Sequence, residues 1–212
     1  MSIEEKAAAL SPWYQTLKVG NFLTRQGVCV SGECLWTKLK TLLPLSMKGM
    51  HVLDLGCNAG FYSVQAALRG AEVVGVEWDT LAYKQALFLK DHFQDVSKKT
   101  LNINYLKEDA EHLDFDKLGS FDYIFALAVL YHIGDGKIGI TPPPKGSAEA
   151  TARQEALAEK MVLHGRNIII RARRGVHSLE SYNRLFLSFG CEVVKNIPKK
   201  ARGLGLYASS ST

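Results

Sequence analysis

The sequence predicts an α/β protein with a Rossmann-like, doubly wound, mostly parallel seven-stranded sheet that ends in a C-terminal antiparallel hairpin. From His51 onwards, short apolar runs alternate with segments of helical periodicity, which is typical of strands joined by crossover helices. A glycine-rich segment follows the first of these runs, where doubly wound sheets bind ligands. Near the end of the chain, two apolar runs are separated by a short turn, and only antiparallel neighbours can be joined so tightly.

The residues before this alternation are predicted to cap a ligand-binding domain. They combine a helical start at Ile3–Leu10, a hairpin around Gly20-Asn21 and an amphipathic helix near Leu35–Leu43. We therefore expect residues 1–50 to form an N-terminal cap segment and residues 51–212 to form the ligand-binding domain.

Apolar and helical periodicity predicts the elements of that domain in order. Five buried strands are expected at His51–Leu55, Glu72–Val76, Ile103–Leu106, Tyr123–Leu127 and Asn167–Arg171. Helices are expected near Tyr62–Arg69, Leu81–Phe93 and Ala148–Leu163. A helix near Leu179–Phe189 and the hairpin strands Cys191–Asn196 and Leu204–Ala208 complete the prediction.

The charge of the chain leaves open whether its partner is a polyanion. The net charge is +5 and the pI is about 9.0, which mildly favours RNA or phosphorylated substrates. Much of the excess lies in two basic clusters, Arg171–Arg174 and Lys195–Arg202. An ordinary solvated surface explains the same charge equally well.

Cysteine spacing and hydropathy exclude two further classes of protein. The four cysteines form no CxxC pair and no zinc-ligand pattern, so we expect reduced thiols and no metal site. The sequence contains no charged-then-apolar leader and no apolar run near the roughly 20 residues that span a bilayer. These features predict a cytoplasmic protein with no membrane partner.

The strongest motif is a buried strand that leads through a glycine-rich turn into a helix, from Asp54 to Gly60. Gly56 and Gly60 permit close approach of the backbone to a ligand, with Cys57 and Asn58 between them. The spacing differs from the G-x-G-x-x-G of dinucleotide dehydrogenases. A carboxylate before the turn suits a cofactor with ammonium and sulfonium groups better than a pyrophosphate, which prefers helix amides without a nearby anion.

An acidic residue ends the second strand of the alternation. Glu77 follows the apolar run Val73–Val76, where a carboxylate can accept hydrogen bonds from both hydroxyls of a ribose. Asp79 is the alternative if the strand ends later, and an ordinary surface acid is the plain structural interpretation. We include Trp78, the next residue, in the predicted cofactor site.

Two later segments complete the predicted pocket. After the third strand, Asp109 is expected to accept from an adenine amino group, while the amide of Ala110 faces a ring nitrogen and Glu111 follows. The fourth strand leads through Leu127 to Tyr131, towards the transferred group. Each segment is weak alone, but their order and separation are hard to obtain by chance.

The residues DLGCNAGFYS at Asp54–Ser63 and VLYH at Val129–His132 resemble the tRNA wobble-uridine carboxymethyltransferase family and its shorter relatives. The Trp13-Tyr14 pair is similar to an element that precedes the domain in those relatives. The resemblance implies a class I methyltransferase with S-adenosyl-L-methionine as cofactor. It also implies that the cofactor and the transferred group are lined by Asp54, Gly56, Glu77, Asp109–Glu111, Leu127 and Tyr131.

The methyl acceptor is left open by the sequence. Tyr131 and His132 are the candidate catalytic residues, with Asp135 behind them, although His132 is as readily a packed or capping histidine. The glycine- and proline-rich stretch Gly134–Gly146 is expected to be a lid or substrate contact, or else a surface linker.

Three functions agree with these features. A methyltransferase acting on an O or N nucleophile of a small molecule or glycan precursor is favoured, because the domain is compact. An RNA methyltransferase that uses the basic clusters is the alternative, and a non-catalytic, cofactor-binding partner subunit is the third.

Overall fold

The structure, a computed structural model, describes residues 1–26, 31–127, 129–133, 147–173, 178–198 and 203–209. Its main sheet has seven strands in the order β5-β4-β3-β6-β7-β9-β8. The pairs β3–β6, β4–β5 and β6–β7 are parallel, whereas β9 is antiparallel to both β7 and β8. This arrangement confirms the predicted fold class, including the antiparallel hairpin at the C-terminal end.

The elements have the following bounds. The strands are β1 (Lys18–Val19), β2 (Phe22–Leu23), β3 (His51–Leu55), β4 (Glu72–Val76), β5 (Ile103–Leu106), β6 (Phe121–Ala126), β7 (Gly165–Arg171), β8 (Glu192–Ile197) and β9 (Leu204–Ala208). The helices are α1 (Ile3–Ala9), α2 (Glu33–Leu39), α3 (Phe61–Ala67), α4 (Thr80–Ser97), α5 (Phe115–Leu118), α6 (Ala148–His164) and α7 (Leu179–Ser188). Short 3₁₀ turns lie at Lys40–Leu42 and Leu130–His132.

Most differences from the predicted elements occur at their ends. The helix expected near Leu35–Leu43 is shorter and ends in a 3₁₀ turn, and β6 and β7 each begin two residues before the prediction. The short helix α5 was not predicted, because four residues carry too little periodicity. Asp114 caps it by accepting a hydrogen bond from the Lys117 amide at 3.1 Å.

Contacts divide the chain into two compact units. Unit 1 contains Met1–Met50 and Cys57–Lys107, and unit 2 contains His51–Gly56 and Glu108–Thr212. The sheet core of unit 2 is apolar, because β6 and β7 each bring isoleucine or phenylalanine side chains of under 1% exposure into it. At its antiparallel edge the rings of Phe186 and Tyr207 stack at 4.6 Å, and the Tyr207 hydroxyl donates to Asn183 at 2.8 Å.

The N-terminal residues of unit 1 are held against helix α4. The Trp13 indole donates to the carbonyl of Ala7 at 2.8 Å, and its ring meets Phe88 of α4 edge-on at 6.1 Å. Gln85 of α4 is 2% exposed and donates to the carbonyls of Leu10 and Pro12 at 2.7 and 3.0 Å. This segment is therefore fixed by buried hydrogen bonds rather than by apolar packing alone.

The cysteines differ in part from the prediction of reduced thiols. Cys57 and Cys191 are buried thiols, but Cys34 is disulfide-bonded. Spacing cannot reveal such a bond, because it depends on how loops approach one another in space. Within the described ranges, no helix is long and apolar enough to cross a membrane, and no group of three or more His, Cys, Asp or Glu side chains is placed to hold a metal ion.

Candidate functional site

The glycine-rich turn of unit 1 is fixed by backbone hydrogen bonds. The Cys57 amide donates to the carbonyl of Val76 at the end of β4, and the Gly60 amide donates to the Cys57 carbonyl, both at 2.9 Å. Asn58 and Gly60 have φ angles of 52° and 73°, in the left-handed region. The chain therefore doubles back over the end of β4 before α3 begins.

Gly60 is required by space as well as by backbone conformation. A Cβ at this position would collide with the Tyr105 hydroxyl, and the same ring would meet a Cβ at Gly75 of β4. The Tyr105 hydroxyl donates to the Gly60 carbonyl at 3.3 Å. The turn is thus packed directly on a β5 side chain.

Glu77 lies directly after β4 and is 5% exposed. One carboxylate oxygen accepts from the Asn58 amide and the other from the Asp79 amide, each at 2.8 Å. Burial raises the pKa of the Glu77 carboxyl, and these two hydrogen bonds act in the opposite direction. Glu77 therefore joins the end of β4 to the glycine-rich turn.

The alternative residue Asp79 has a separate structural role. Its carboxylate accepts from the Ala82 amide at 2.8 Å and caps the N-terminus of α4. Trp78, which we predicted in the cofactor site, is 39% exposed. The Asn58 side-chain oxygen is buried and has no hydrogen-bond partner among the described residues, so it is suited to accept from a bound ligand.

Gln15, which was not predicted, has a buried side chain that reaches the same turn. Gln15 is 2% exposed, its Nε2 lies 3.4 Å from the Cys57 carbonyl, and its Oε1 lies 3.4 Å from the Phe61 amide. The amide thus spans the turn from its start to the first residue of α3. The only signal in the sequence is the adjacent Trp13-Tyr14 pair, which we associated with a family and not with a contact.

Unit 2 holds the first residues of the motif. Asp54 is 1% exposed and lies opposite Phe125 in the parallel pairing of β3 with β6. Gly56 has a φ of 61°, and a Cβ there would lie 2.6 Å from a methyl group of Val129. Leu127, at the end of β6, is also buried. These residues lie at the carboxyl ends of β3 and β6, as predicted for a ligand-binding edge.

The segment after β5 forms a tight turn in which Ala110 is buried. The Glu111 amide donates to an Asp109 carboxylate oxygen at 3.0 Å, and the His112 amide donates to the Asp109 carbonyl at 3.1 Å. The Glu111 carboxylate does not point freely from this turn, because Arg153 of α6 holds it through bonds of 2.6 and 2.7 Å.

The candidate catalytic residues lie in the 3₁₀ turn that follows β6. Tyr131 is buried, its ring centroid is 4.6 Å from that of His132, and the Arg173 guanidinium lies 4.6 Å from the same centroid. Burial also raises the pKa of the nearby Tyr182 phenol, so this group is an even weaker acid than an exposed tyrosine. Asp135 and the stretch Gly134–Gly146 lie outside the described residues.

The predicted basic clusters are only partly described, and one member is not on the surface. Arg171, at the end of β7, is 4% exposed and so offers little surface to a phosphate. Arg173 is half-buried over Tyr131, whereas Lys195 of β8 is exposed. Arg174, Lys199, Lys200 and Arg202 lie outside the described residues.

Comparison with known proteins places these features in a recognised class. Residues 53–141 match the family model described as a methyltransferase domain. A ubiquinone biosynthesis O-methyltransferase of Coxiella burnetii is 37% identical over 91 residues, which are 43% of this chain and 36% of that protein. A tRNA U34 carboxymethyltransferase of Alteromonas mediterranea is 33% identical over 90 residues, 42% of this chain and 26% of that protein. The chain thus matches between a quarter and two fifths of the length of these relatives.

Solved structures show the same fold over nearly the whole chain. The N-terminal domain of EvdMO1, crystallised in the presence of S-adenosylhomocysteine and D-fucose, has a TM-score of 0.66 at 15% identity and covers 98% of this chain and 94% of that one. The magnesium protoporphyrin IX methyltransferase of Synechocystis, with bound S-adenosylmethionine, has a TM-score of 0.59 at 17% identity and covers 83% and 76%.

The strand order and the match over residues 53–141 support the predicted resemblance to class I methyltransferases. The two solved structures were crystallised with S-adenosylmethionine or S-adenosylhomocysteine, which agrees with the cofactor predicted from the sequence. One structural feature fits that cofactor. The buried Asn58 side-chain oxygen has no hydrogen-bond partner among the described residues, so it can accept from a bound ligand.

The contact between Gly60 and Tyr105 predicts a stability difference between two glycine substitutions. Gly49 has a similar φ of 75°, but a Cβ there would meet nothing within 4 Å. Gly49→Ala should lower the free energy of unfolding by about 1–2 kcal/mol through backbone strain alone. Gly60→Ala should lose a further 1–3 kcal/mol or so, because the Cβ must displace the Tyr105 ring. Urea denaturation followed by circular dichroism measures both, and equal losses would contradict the close packing of the turn.

Proposed function

We propose that this chain transfers a methyl group from S-adenosylmethionine to an O or N nucleophile of a small molecule or glycan precursor. The observation that carries the proposal is the buried Glu77 carboxylate, bound to the amide of the glycine-rich turn at 2.8 Å. Two similarities support the acceptor class. The EvdMO1 domain covers 98% of this chain and was crystallised with a sugar, and the Coxiella burnetii relative is a small-molecule O-methyltransferase by name.

We assign the cofactor contacts as follows. Glu77 accepts hydrogen bonds from the ribose hydroxyls, because its oxygens retain lone pairs beside the two amide bonds. Asp54 and the Asn58 oxygen accept from the ammonium group of the cofactor. Asp109 and the Ala110 amide face the adenine, while Glu111 holds their turn in place. The remaining contacts are apolar or backbone ones, from Gly56, Cys57, Gly60, Trp78, Leu127 and Tyr131.

The bound cofactor supplies a methyl group on a sulfonium, which is an activated leaving group. The protein therefore contributes mainly by orientation, which can supply about 7–11 kcal/mol of a reaction barrier. We assign Tyr131 to positioning the acceptor, since its buried ring contacts both His132 and Arg173. His132 is the candidate general base, a role worth about 10²–10⁴-fold in rate, and Asp135 stays the third predicted catalytic residue.

The second candidate is an RNA methyltransferase. It is supported by the match to the tRNA U34 carboxymethyltransferase and by the net charge of +5. The burial of Arg171 makes it the weaker candidate, because RNA affinity depends on exposed cations at the phosphates.

The cofactor assignment predicts a ligand-dependent rise in stability that Asp54 controls. S-adenosylhomocysteine at about 100 times its dissociation constant should add about 2.7 kcal/mol, seen as a rise of several degrees in Tm. Asp54→Asn keeps the volume of the side chain but removes its charge, so the rise should vanish while the fold remains. Asp116→Asn, at a side chain that is 96% exposed, serves as the matched control. Unchanged affinity of the Asp54 variant in calorimetry would refute the assignment.

The raised pKa of Glu77 predicts how cofactor affinity depends on pH. The carboxylate must be ionised to accept from the ribose, and burial raises the pKa at which the carboxyl takes up a proton. Affinity for S-adenosylhomocysteine should therefore be highest well above that raised pKa and should fall as the pH drops through it. Calorimetric titrations from about pH 8 to about pH 5 test this. Glu77→Gln should bind weakly at every pH, and a variant with the wild-type profile would exclude Glu77 as the titrating group.

The acceptor class predicts which cell fraction becomes labelled. With methyl-labelled S-adenosylmethionine, label should be transferred to a small-molecule extract and not to total RNA. Asp54→Asn is the negative control, because it should transfer no label to either fraction. Labelling of RNA that decreases steeply with salt would instead establish the second candidate. Failure to label either fraction, with S-adenosylhomocysteine bound, would favour the non-catalytic partner subunit.

A further inference from the structure

Helix α6 holds the turn that we assign to the adenine. The Arg153 guanidinium donates from Nε and from one terminal nitrogen to the two carboxylate oxygens of Glu111, at 2.7 and 2.6 Å. About two turns further along α6, the Lys160 ammonium lies 3.4 Å from the Glu111 carbonyl oxygen. The Glu111 amide donates to Asp109 at 3.0 Å. Glu111 is therefore held through its side chain, its carbonyl and its amide.

The environment of this ion pair distinguishes it from a surface salt bridge. The side chains of Arg153 and Glu111 are 23% and 11% exposed. In the exposed pair of Arg184 with Glu180 the corresponding values are 68% and 81%, and the contact is a single one within one helix. Paired, parallel hydrogen bonds between charged groups fix geometry as well as energy, and partial burial reduces their screening. The Arg153 pair therefore restricts the orientation of the turn, which the Arg184 pair does not do for any loop.

The position of Asp109 follows from this restriction. The Asp109 side chain accepts a hydrogen bond from the Glu111 amide, and the Asp109 carbonyl accepts one from the His112 amide. The orientation of Asp109 therefore depends on where Glu111 is held. Arg153 lies 42 residues from Glu111 in the sequence and belongs to helix α6, to which we assigned no role in cofactor binding. The neighbouring residue Gln154 bonds elsewhere, to the carbonyl of Ile133 at 3.0 Å.

We propose that Arg153 is a positioning residue that determines specificity for the adenine amino group, by holding Glu111 and thereby the turn that presents Asp109 and Ala110. The inference rests on the proposed cofactor site. Asp109 accepts from the amino group, and the Ala110 amide donates to the adjacent ring nitrogen. When Arg153 is removed, the turn relaxes and both contacts loosen, although the ribose and amino-acid contacts of the cofactor stay in place.

The test compares S-adenosylhomocysteine with S-inosylhomocysteine, in which an oxo group replaces the amino group and the ring nitrogen carries a proton. The wild-type chain should prefer the adenine compound by about tenfold or more. In the analogue, the Asp109 carboxylate faces an oxo group that cannot donate, and the Ala110 amide faces a ring nitrogen that carries its own proton. Arg153→Met should lower affinity for the adenine compound about tenfold and leave affinity for the inosine compound nearly unchanged. The ratio of the two affinities should therefore approach one. Arg153→Lys, which retains the charge, should recover part of the preference.

Matched variants separate this role from a loss of stability. Gln154→Ala removes a tertiary hydrogen bond from the adjacent position of α6, and Arg184→Met removes an exposed ion pair; both should retain the wild-type preference. Glu111→Gln keeps the size of the side chain and breaks the same ion pair, so it should also lose the preference for the adenine compound. It replaces Arg153→Met in the test if the Arg153 variant does not fold. Calorimetry gives the affinities, and circular dichroism checks the fold.

The outcomes distinguish this inference from the proposed function. If the wild-type chain binds neither compound, the cofactor site itself is wrong. If it binds both equally, or if Arg153→Met and Glu111→Gln retain the preference, the cofactor site stands and the role of Arg153 is overturned. A preference that is lost equally in Gln154→Ala also overturns it, because the effect would then belong to the helix as a whole.

Discussion

The hydrogen bond between the Asn58 amide and the buried Glu77 carboxylate is the interaction on which the rest of the site depends. It fixes a left-handed residue of the turn against the end of β4, so the backbone of the glycine-rich segment is held in one conformation. A carboxylate with under a tenth of its surface exposed is costly unless its oxygens are bonded, and here two backbone amides satisfy them. The turn and the acid therefore stabilise one another before any ligand is present.

Gln15 also stabilises the glycine-rich turn, from a different part of the chain. Its side-chain amide lies near the Cys57 carbonyl and the Phe61 amide, and hydrogen bonds of Trp13 and Gln85 fix the segment that carries it. The N-terminal residues of unit 1 are thus part of the support of the glycine-rich turn. This gives the Trp13-Tyr14 element a structural meaning that its resemblance to other sequences did not supply.

Much of the fold followed from the sequence, because strands and helices of five residues or more have a periodicity that reports burial directly. The bounds of β3, β4, β5 and β9 agree with the prediction residue for residue. Side-chain partners did not follow, since Gln15 meets Cys57 and Arg153 meets Glu111 across 42 residues each, and no local pattern encodes such contacts. The disulfide at Cys34 escaped prediction for the same reason. For the acceptor, the sequence gives only residue types near the end of β6, because a methyltransferase fold places the donor and leaves the acceptor to loops.

The ring of Tyr105 has one more consequence, for how this domain can change over evolutionary time. It occupies the volume beside two glycines on separate elements, Gly60 in the turn and Gly75 in β4. A larger residue at either glycine requires a smaller one in place of the tyrosine, and once the ring has gone the space beside both positions is released together. Homologous sequences should therefore show these three sites varying as a set, with an aromatic side chain accompanying the pair of glycines.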